Sequence, residues 1–112
     1  NVIGREGEVL ALLDFEEICI ESFAMDLATT YVGFGWKDGF PVPELWDALL
    51  AGYQSVRPLT EAEHAALPDL HRYAVLAVAA WRYWQFVVNV PGTEHTNRYL
   101  EMVERLDKSL PF

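Results

Sequence analysis

Asn1 and Asp14 are oxygen-bearing side chains thirteen positions apart, at the two ends of one short stretch of a 112-residue chain. Between them lie two apolar runs, Val2-Ile3 and Val9 to Leu13, separated by "GREGE", whose two glycines supply turn conformations. The pattern predicts a β-hairpin turning near residues 5–8, which would fold Asn1 and Asp14 back side by side. An amide oxygen and a carboxylate at a strand end are hard ligands, the kind Mg²⁺ takes when it also binds phosphate. Read alone, Asp14 is more readily an ordinary residue of a turn that ends a strand than a metal ligand.

Other chemistry-bearing groups are more scattered. Trp81, Tyr83, Trp84 and Phe86 recur on one predicted helix, where a core stripe is the plain reading and an aromatic wall for a cationic group the functional one. Glu16, Glu17, Glu21 and Asp38 could add negative charge near the hairpin end, although solvated surface acids account for each. His64, His71 and His95 are too dispersed for a zinc site, and no G-x-S-x-G or Cys/His pairing is present. The single cysteine, Cys19, sits among apolar residues and is expected to be a buried, inert thiol. "GFGWKDG" at 33–39 imitates a glycine-rich phosphate loop but follows a helix rather than a strand.

The elements that must position these groups are mostly helical. From Ser22 the pattern places Phe23, Leu27 and Tyr31 on one face, with Met25 and Ala28 nearby. "GFGWKDGFPVP" at 33–43 reads as a loop, and Pro43 suits the first position of a helix with Leu45, Leu49 and Tyr53 on a stripe. Thr60 and Glu63 match a capping box. Pro68 is expected to break or restart that helix, and a long helix from about Asp69 to Val88 would carry Leu70, Tyr73, Ala77, Trp81, Trp84 and Val88. A last amphipathic helix, from about Glu94 to Ser109, has Tyr99, Met102, Val103, Leu106 and Leu110 as its apolar side, with Glu101/Arg105 and Glu104/Lys108 as i,i+4 pairs. The predicted fold is mainly α: a short N-terminal β-hairpin followed by four to five packed helices in one domain, residues 1–112.

Composition narrows the function. Eight Lys and Arg against seventeen Asp and Glu give a net charge of −9, which argues against nucleic acid or an anionic membrane as partner. The lone cysteine fits a reducing cytoplasm. The most apolar stretch, "AVLAVAAW" at 74–81, falls far short of the ~20 residues that span a bilayer and reads as a buried helix.

The ordered set "NV" at 1–2, "LLDFEE" at 12–17 and "MDLATT" at 25–30, with "LLAGYQSVRPLTEAE" at 49–63, resembles the aminoglycoside phosphotransferases and their relatives, choline kinase and the bacterial type II homoserine kinases. Members carry His-Gly-Asp-x-x-x-x-Asn, a hairpin, an apolar strand ending in Ile/Leu-Asp-Phe/Trp-Glu/Asp, and a helix with Asp-Leu-Ala. The resemblance implies that the chain is the C-terminal helical lobe of a protein-kinase-like fold. It also implies a phosphotransferase that uses ATP and Mg²⁺ on the hydroxyl of a small molecule such as homoserine, a choline-like alcohol or an aminoglycoside. Asn1 and Asp14 would be the metal ligands and Asp26 a buried acid that steadies the catalytic loop. Glu17, Trp81 and Trp84 would lie towards the acceptor. The His-Gly-Asp acid and the N-terminal nucleotide lobe would precede Asn1, so this stretch alone is expected to be inactive and to self-associate through its uncovered strands. The competing reading is a non-catalytic acidic helical module that binds a partner.

Overall fold

The computed structural model describes residues 1–15 and 18–112 and begins with the expected hairpin, β1 (Val2–Arg5) and β2 (Glu8–Leu12). Glu6 and Gly7 both have positive φ, 53° and 85°, the two-residue turn whose twist suits antiparallel strands. Pairing runs Val2 with Leu12, Ile3 with Ala11, Gly4 with Val9 and Arg5 with Glu8, with an irregularity between Ile3 and Gly4. Every hairpin residue but Ala11 is exposed, including Val2, Ile3, Leu10 and Leu12. The radius of gyration of 15.2 Å exceeds the roughly 13 Å of a well-packed domain of this length, in keeping with a hairpin that stands off the helices.

The helices are α1 (Phe23–Phe34), α2 (Pro43–Gln54), α3 (Glu61–Tyr83) and α4 (Arg98–Arg105), with a π-helical segment, Trp84–Asn89, continuing α3. None is long and apolar enough to cross a membrane. The predicted 33–43 loop contains a small second hairpin, β3 (Trp36–Lys37) and β4 (Phe40–Pro41), turned by Asp38 and Gly39 at φ of 51° and 80°. Asp-Gly in such a turn is a strong hairpin signal, so "GFGWKDG" is a β-turn and not a phosphate loop.

One core cluster joins Ala24, Leu27 and Tyr31 of α1 to Trp46 of α2 and Leu59 and Leu67, with Phe112 against it. Tyr31 is buried; its hydroxyl donates to the Val42 carbonyl at 3.1 Å, and its ring meets Trp46 edge-on at 5.4 Å. The second cluster packs Val32 against Ala74, Val75, Ala79 and Met102, bringing α1, α3 and α4 together. Arg105, also buried, donates to the Val32 carbonyl at 2.8 Å and to Glu101 at 2.9 Å, and lies over the Trp36 ring at 4.6 Å.

Several expectations need correction. The long helix does not restart at Pro68; α3 runs through it, with Leu67 and His71 buried on either side. Their burial outweighs the one backbone hydrogen bond that proline removes. The stripe Tyr73, Trp81, Trp84 and Val88 faces outward, because the opposite face, Leu67, His71, Ala74, Val75 and Ala79, carries smaller residues that let α1 and α4 approach closely. In α2 the buried residue is Trp46, not Leu45, and in α1 Phe23 is exposed. Helix α4 is shorter than expected: residues 94–97 form turns, and Lys108 sits over the Phe40 ring at 4.5 Å rather than pairing with Glu104. Cys19 is exposed, not buried.

The Thr60–Glu63 capping box is present in full. Glu63 also takes Arg57 at 2.8 Å, and the hydrogen bonds it accepts from Arg57 and then from the Thr60 amide hold its carboxyl down at about 2. In Glu101, burial pushes the carboxyl up, but Arg82 and Arg105 outweigh it and leave it below the ordinary range.

Two predictions follow from this core. A methyl group on Gly35 would collide with the buried Tyr31 ring, so Gly35→Ala should destabilise the chain by roughly 1–3 kcal/mol in chemical denaturation. Burial, and then the charge of Arg105, push His71 from 6.5 down to about 4. Between those values the unfolded chain holds the extra proton, so this contribution is complete above about 6.5 and is lost as pH falls towards 4. It amounts to at most roughly 3 kcal/mol. Melting temperature should fall from neutral pH to about pH 5, and His71→Phe should remove most of that slope; an unchanged slope would exclude His71 as its source.

Candidate functional site

The hairpin register decides which side chains meet at its open end. The Leu13 amide donates to the Asn1 carbonyl at 2.8 Å, one rung beyond the Val2–Leu12 pair. Asp14 then takes φ of 68°, the left-handed region, which ends the strand and turns its side chain across to Asn1. Asp tolerates this region better than most residues with a side chain. The Asn1 side-chain amide donates to Asp14 Oδ2 at 2.9 Å, across thirteen positions of sequence. The expected juxtaposition is therefore present.

Both residues line an open groove of about 820 Å³ between the hairpin end, the following chain and the outer side of α1. Its other polar lining includes Asp26, Thr29 and Thr30, while Leu12, Leu13, Phe15, Ile18 and Phe23 give it an apolar wall. Asp26 is exposed in this groove, not buried, because Ala24, Leu27 and Tyr31 take the inward face of α1. Asp14, Glu21 and Asp26 thus put three carboxylates along one groove. Thr30, missed in the sequence, stands one helical turn after Asp26; the i,i+4 spacing was the available signal. Thr29 is committed elsewhere, its hydroxyl donating to the Met25 carbonyl at 2.9 Å.

Glu21 gathers here as expected, but the aromatic candidates do not. Trp81 and Trp84 are 55% and 53% exposed at the far end of α3 and do not line the groove. Trp81 meets Phe86 edge-on at 6.0 Å, so these rings are a surface feature rather than core. Glu17 lies outside the described residues.

Among the described residues no group of three or more His, Cys, Asp or Glu is placed to hold a metal. A cation ligated wholly by protein does not fit. A cation held by one or two protein oxygens, with phosphate and water supplying the rest, does fit the Asn1 amide oxygen and the Asp14 carboxylate.

No family model matches the chain, and no solved structure matches it. Among curated proteins it is similar to the homoserine kinase of Gluconobacter oxydans, 36% identical over 93 residues, which covers 82% of this chain and 29% of that protein. The homoserine kinase of Gluconacetobacter diazotrophicus is 34% identical over 108 residues, 95% of this chain and 34% of that protein. That of Methylobacterium radiotolerans is 41% identical over 88 residues, 77% of this chain and 27% of that protein. The chain spans about three tenths of the length of these curated relatives. Over most of its own length, then, this mainly helical chain with its N-terminal hairpin is similar to a part of these homoserine kinases.

Proposed function

We propose that the chain is the C-terminal helical lobe of a protein-kinase-like small-molecule kinase that transfers phosphate from ATP to the hydroxyl of homoserine, with Mg²⁺ held by Asn1 and Asp14. The observation that carries this reading is the contact between the Asn1 amide and the Asp14 carboxylate at a hairpin end, on an open groove, in a chain whose homologues are homoserine kinases. The aminoglycoside and choline-like acceptors named by the resemblance rank behind homoserine, because the matched relatives bear the latter name.

Each residue then has a physical task. Asp14 presents a charged oxygen and Asn1 a neutral one, and their mutual hydrogen bond fixes both before any ligand arrives. Mg²⁺, when bound there, would neutralise charge on the phosphates. Glu21 and Asp26 add further negative charge to the groove, and Thr30 adds a hydroxyl one turn after Asp26. The preformed hairpin register makes the contribution of these residues one of positioning.

A second reading, a non-catalytic acidic module that binds a partner, draws on the exposed apolar residues Val2, Ile3, Leu10 and Leu12. Under the kinase reading the same surface packs against the rest of the enzyme. The 112-residue stretch on its own should then self-associate at moderate concentration, since an uncovered apolar strand edge invites pairing. A monodisperse monomer at high concentration in ultracentrifugation would count against it.

Asp14 separates the two readings. In the complete enzyme, Asp14→Asn keeps size and tolerance of the left-handed backbone but removes the charge. Turnover of homoserine should fall by about 10²–10⁴, or roughly 3–5 kcal/mol, with little change in melting temperature. Asp14→Val should instead destabilise the hairpin by roughly 1–3 kcal/mol, because a β-branched residue fits φ of 68° poorly. Glu17→Gln should be much milder in turnover. Near-normal turnover of Asp14→Asn at saturating Mg²⁺ would refute the metal-ligand assignment.

A further inference from the structure

A second cavity, of about 310 Å³, opens between α3 and the chain that follows α4, and it shares no lining residue with the Asn1–Asp14 groove. Arg72, Arg105 and Lys108 line it beside one carboxylate, Asp69. In a chain of net charge −9 this is a local reversal of sign. Arg72 is exposed and Lys108 half-buried, which places them at the mouth, while His71 and Arg105, 3% and 9% exposed, form the floor.

Two features mark this cavity as more than a surface dent. Among the described residues, Arg72 and Lys108 take part in no ion pair; the arginines that do are Arg57, Arg82 and Arg105. Three buried side-chain nitrogens lack a hydrogen-bond partner among the described residues: His71 Nε2 and Arg105 Nε, on two residues that line the cavity, and Nε1 of Trp36, which packs against both without lining it. The His71 and Trp36 rings are stacked at 5.8 Å and 17°, and the Arg105 guanidinium covers the Trp36 ring. Buried polar nitrogens without a partner are rare in folded proteins, and three together leave this cluster with hydrogen-bonding capacity that the protein itself does not meet.

We propose that this cavity is a binding site for a small oxyanion, a phosphate or a carboxylate, held by Arg72 and Lys108 at the mouth above the positive charge of Arg105. Arginine suits both anions because its planar fork donates two parallel hydrogen bonds. The volume sits at the small end of the range for small-molecule sites, which favours a compact ligand. The two candidate anions share this chemistry and differ in geometry and charge. The site is independent of the phosphotransferase reading, since none of its residues serves the Asn1–Asp14 groove.

The test is a titration of the ¹⁵N-labelled full chain at neutral pH with sodium phosphate and, separately, sodium acetate, following the Trp36 indole N–H. Sodium chloride of equal ionic strength is the control. The expected result is a saturable shift with one or both oxyanions and none with chloride; the anion that saturates at lower concentration identifies the source. Arg72→Gln with Lys108→Gln should weaken binding at least about tenfold, because each removes a charged donor. Arg72→Gln alone, at an exposed position, serves should the double variant not fold. A non-saturating shift, an equal response to chloride, or unchanged affinity in the variants would overturn the proposal and leave water as the partner of the buried nitrogens.

Discussion

Tyr31 is the constraint around which the helical part is arranged. A phenol can be buried only if its hydroxyl finds an acceptor, and here that acceptor is the Val42 carbonyl just before α2. The bond fixes where the chain must return after the β3–β4 hairpin. Gly35 has to be glycine because the ring fills the space of its Cβ, and Trp46 and Phe112 close on the ring edge-on. Once Ala24, Leu27 and Tyr31 are committed inward, the 3.6-residue period leaves Asp26 and Thr30 outward. The polar wall of the groove is therefore a consequence of the core, not a separate feature.

Three of the arginines tie the helices together through carboxylates. Arg57 ties the cap of α3 to the end of α2 through Glu63, and Glu101 is shared between Arg82 of α3 and Arg105 of its own helix. Arg105 is the most constrained, held between the Val32 carbonyl, Glu101 and the Trp36 ring. Burial pulls its basicity down while Glu101 restores part of it. Such a group is costly to bury and is tolerated because nearly every donor has a partner.

Local signals were legible in the sequence where a turn or cap dictates them. "GREGE" gave the hairpin and hence the Asn1–Asp14 contact, Thr60 and Glu63 gave the start of α3, and Pro43 the start of α2. What was not legible depends on competition between faces. Helix α3 is apolar on two sides, and periodicity favoured the larger residues, Tyr73, Trp81 and Trp84, although the close approach of α1 and α4 selects the smaller ones. Pro68 looked decisive as a breaker, yet tertiary burial on either side overrode it. The floor of the cationic cavity joins His71 and Arg105, with Trp36 packed against both; the three are far apart in sequence, and no spacing rule links them.

The two cavities ask opposite things of one small acidic chain, and α1 is what allows both. Its outer face carries Asp26 and Thr30 to the groove, where negative charge would favour a cation. Its inner face lends Tyr31 to the ring cluster over His71, at 6.0 Å, and the Val32 carbonyl to Arg105. Arg105 is thereby pulled away from the acidic groove and held against α3 and α4, where Arg72 and Lys108 join it. Moving that one guanidinium to the outer side of α1 would offset part of the negative charge of the groove and take one of the three cations from the cavity. The separation of charge across α1 therefore rests on the same inward commitment of Leu27, Tyr31 and Val32 that builds the core.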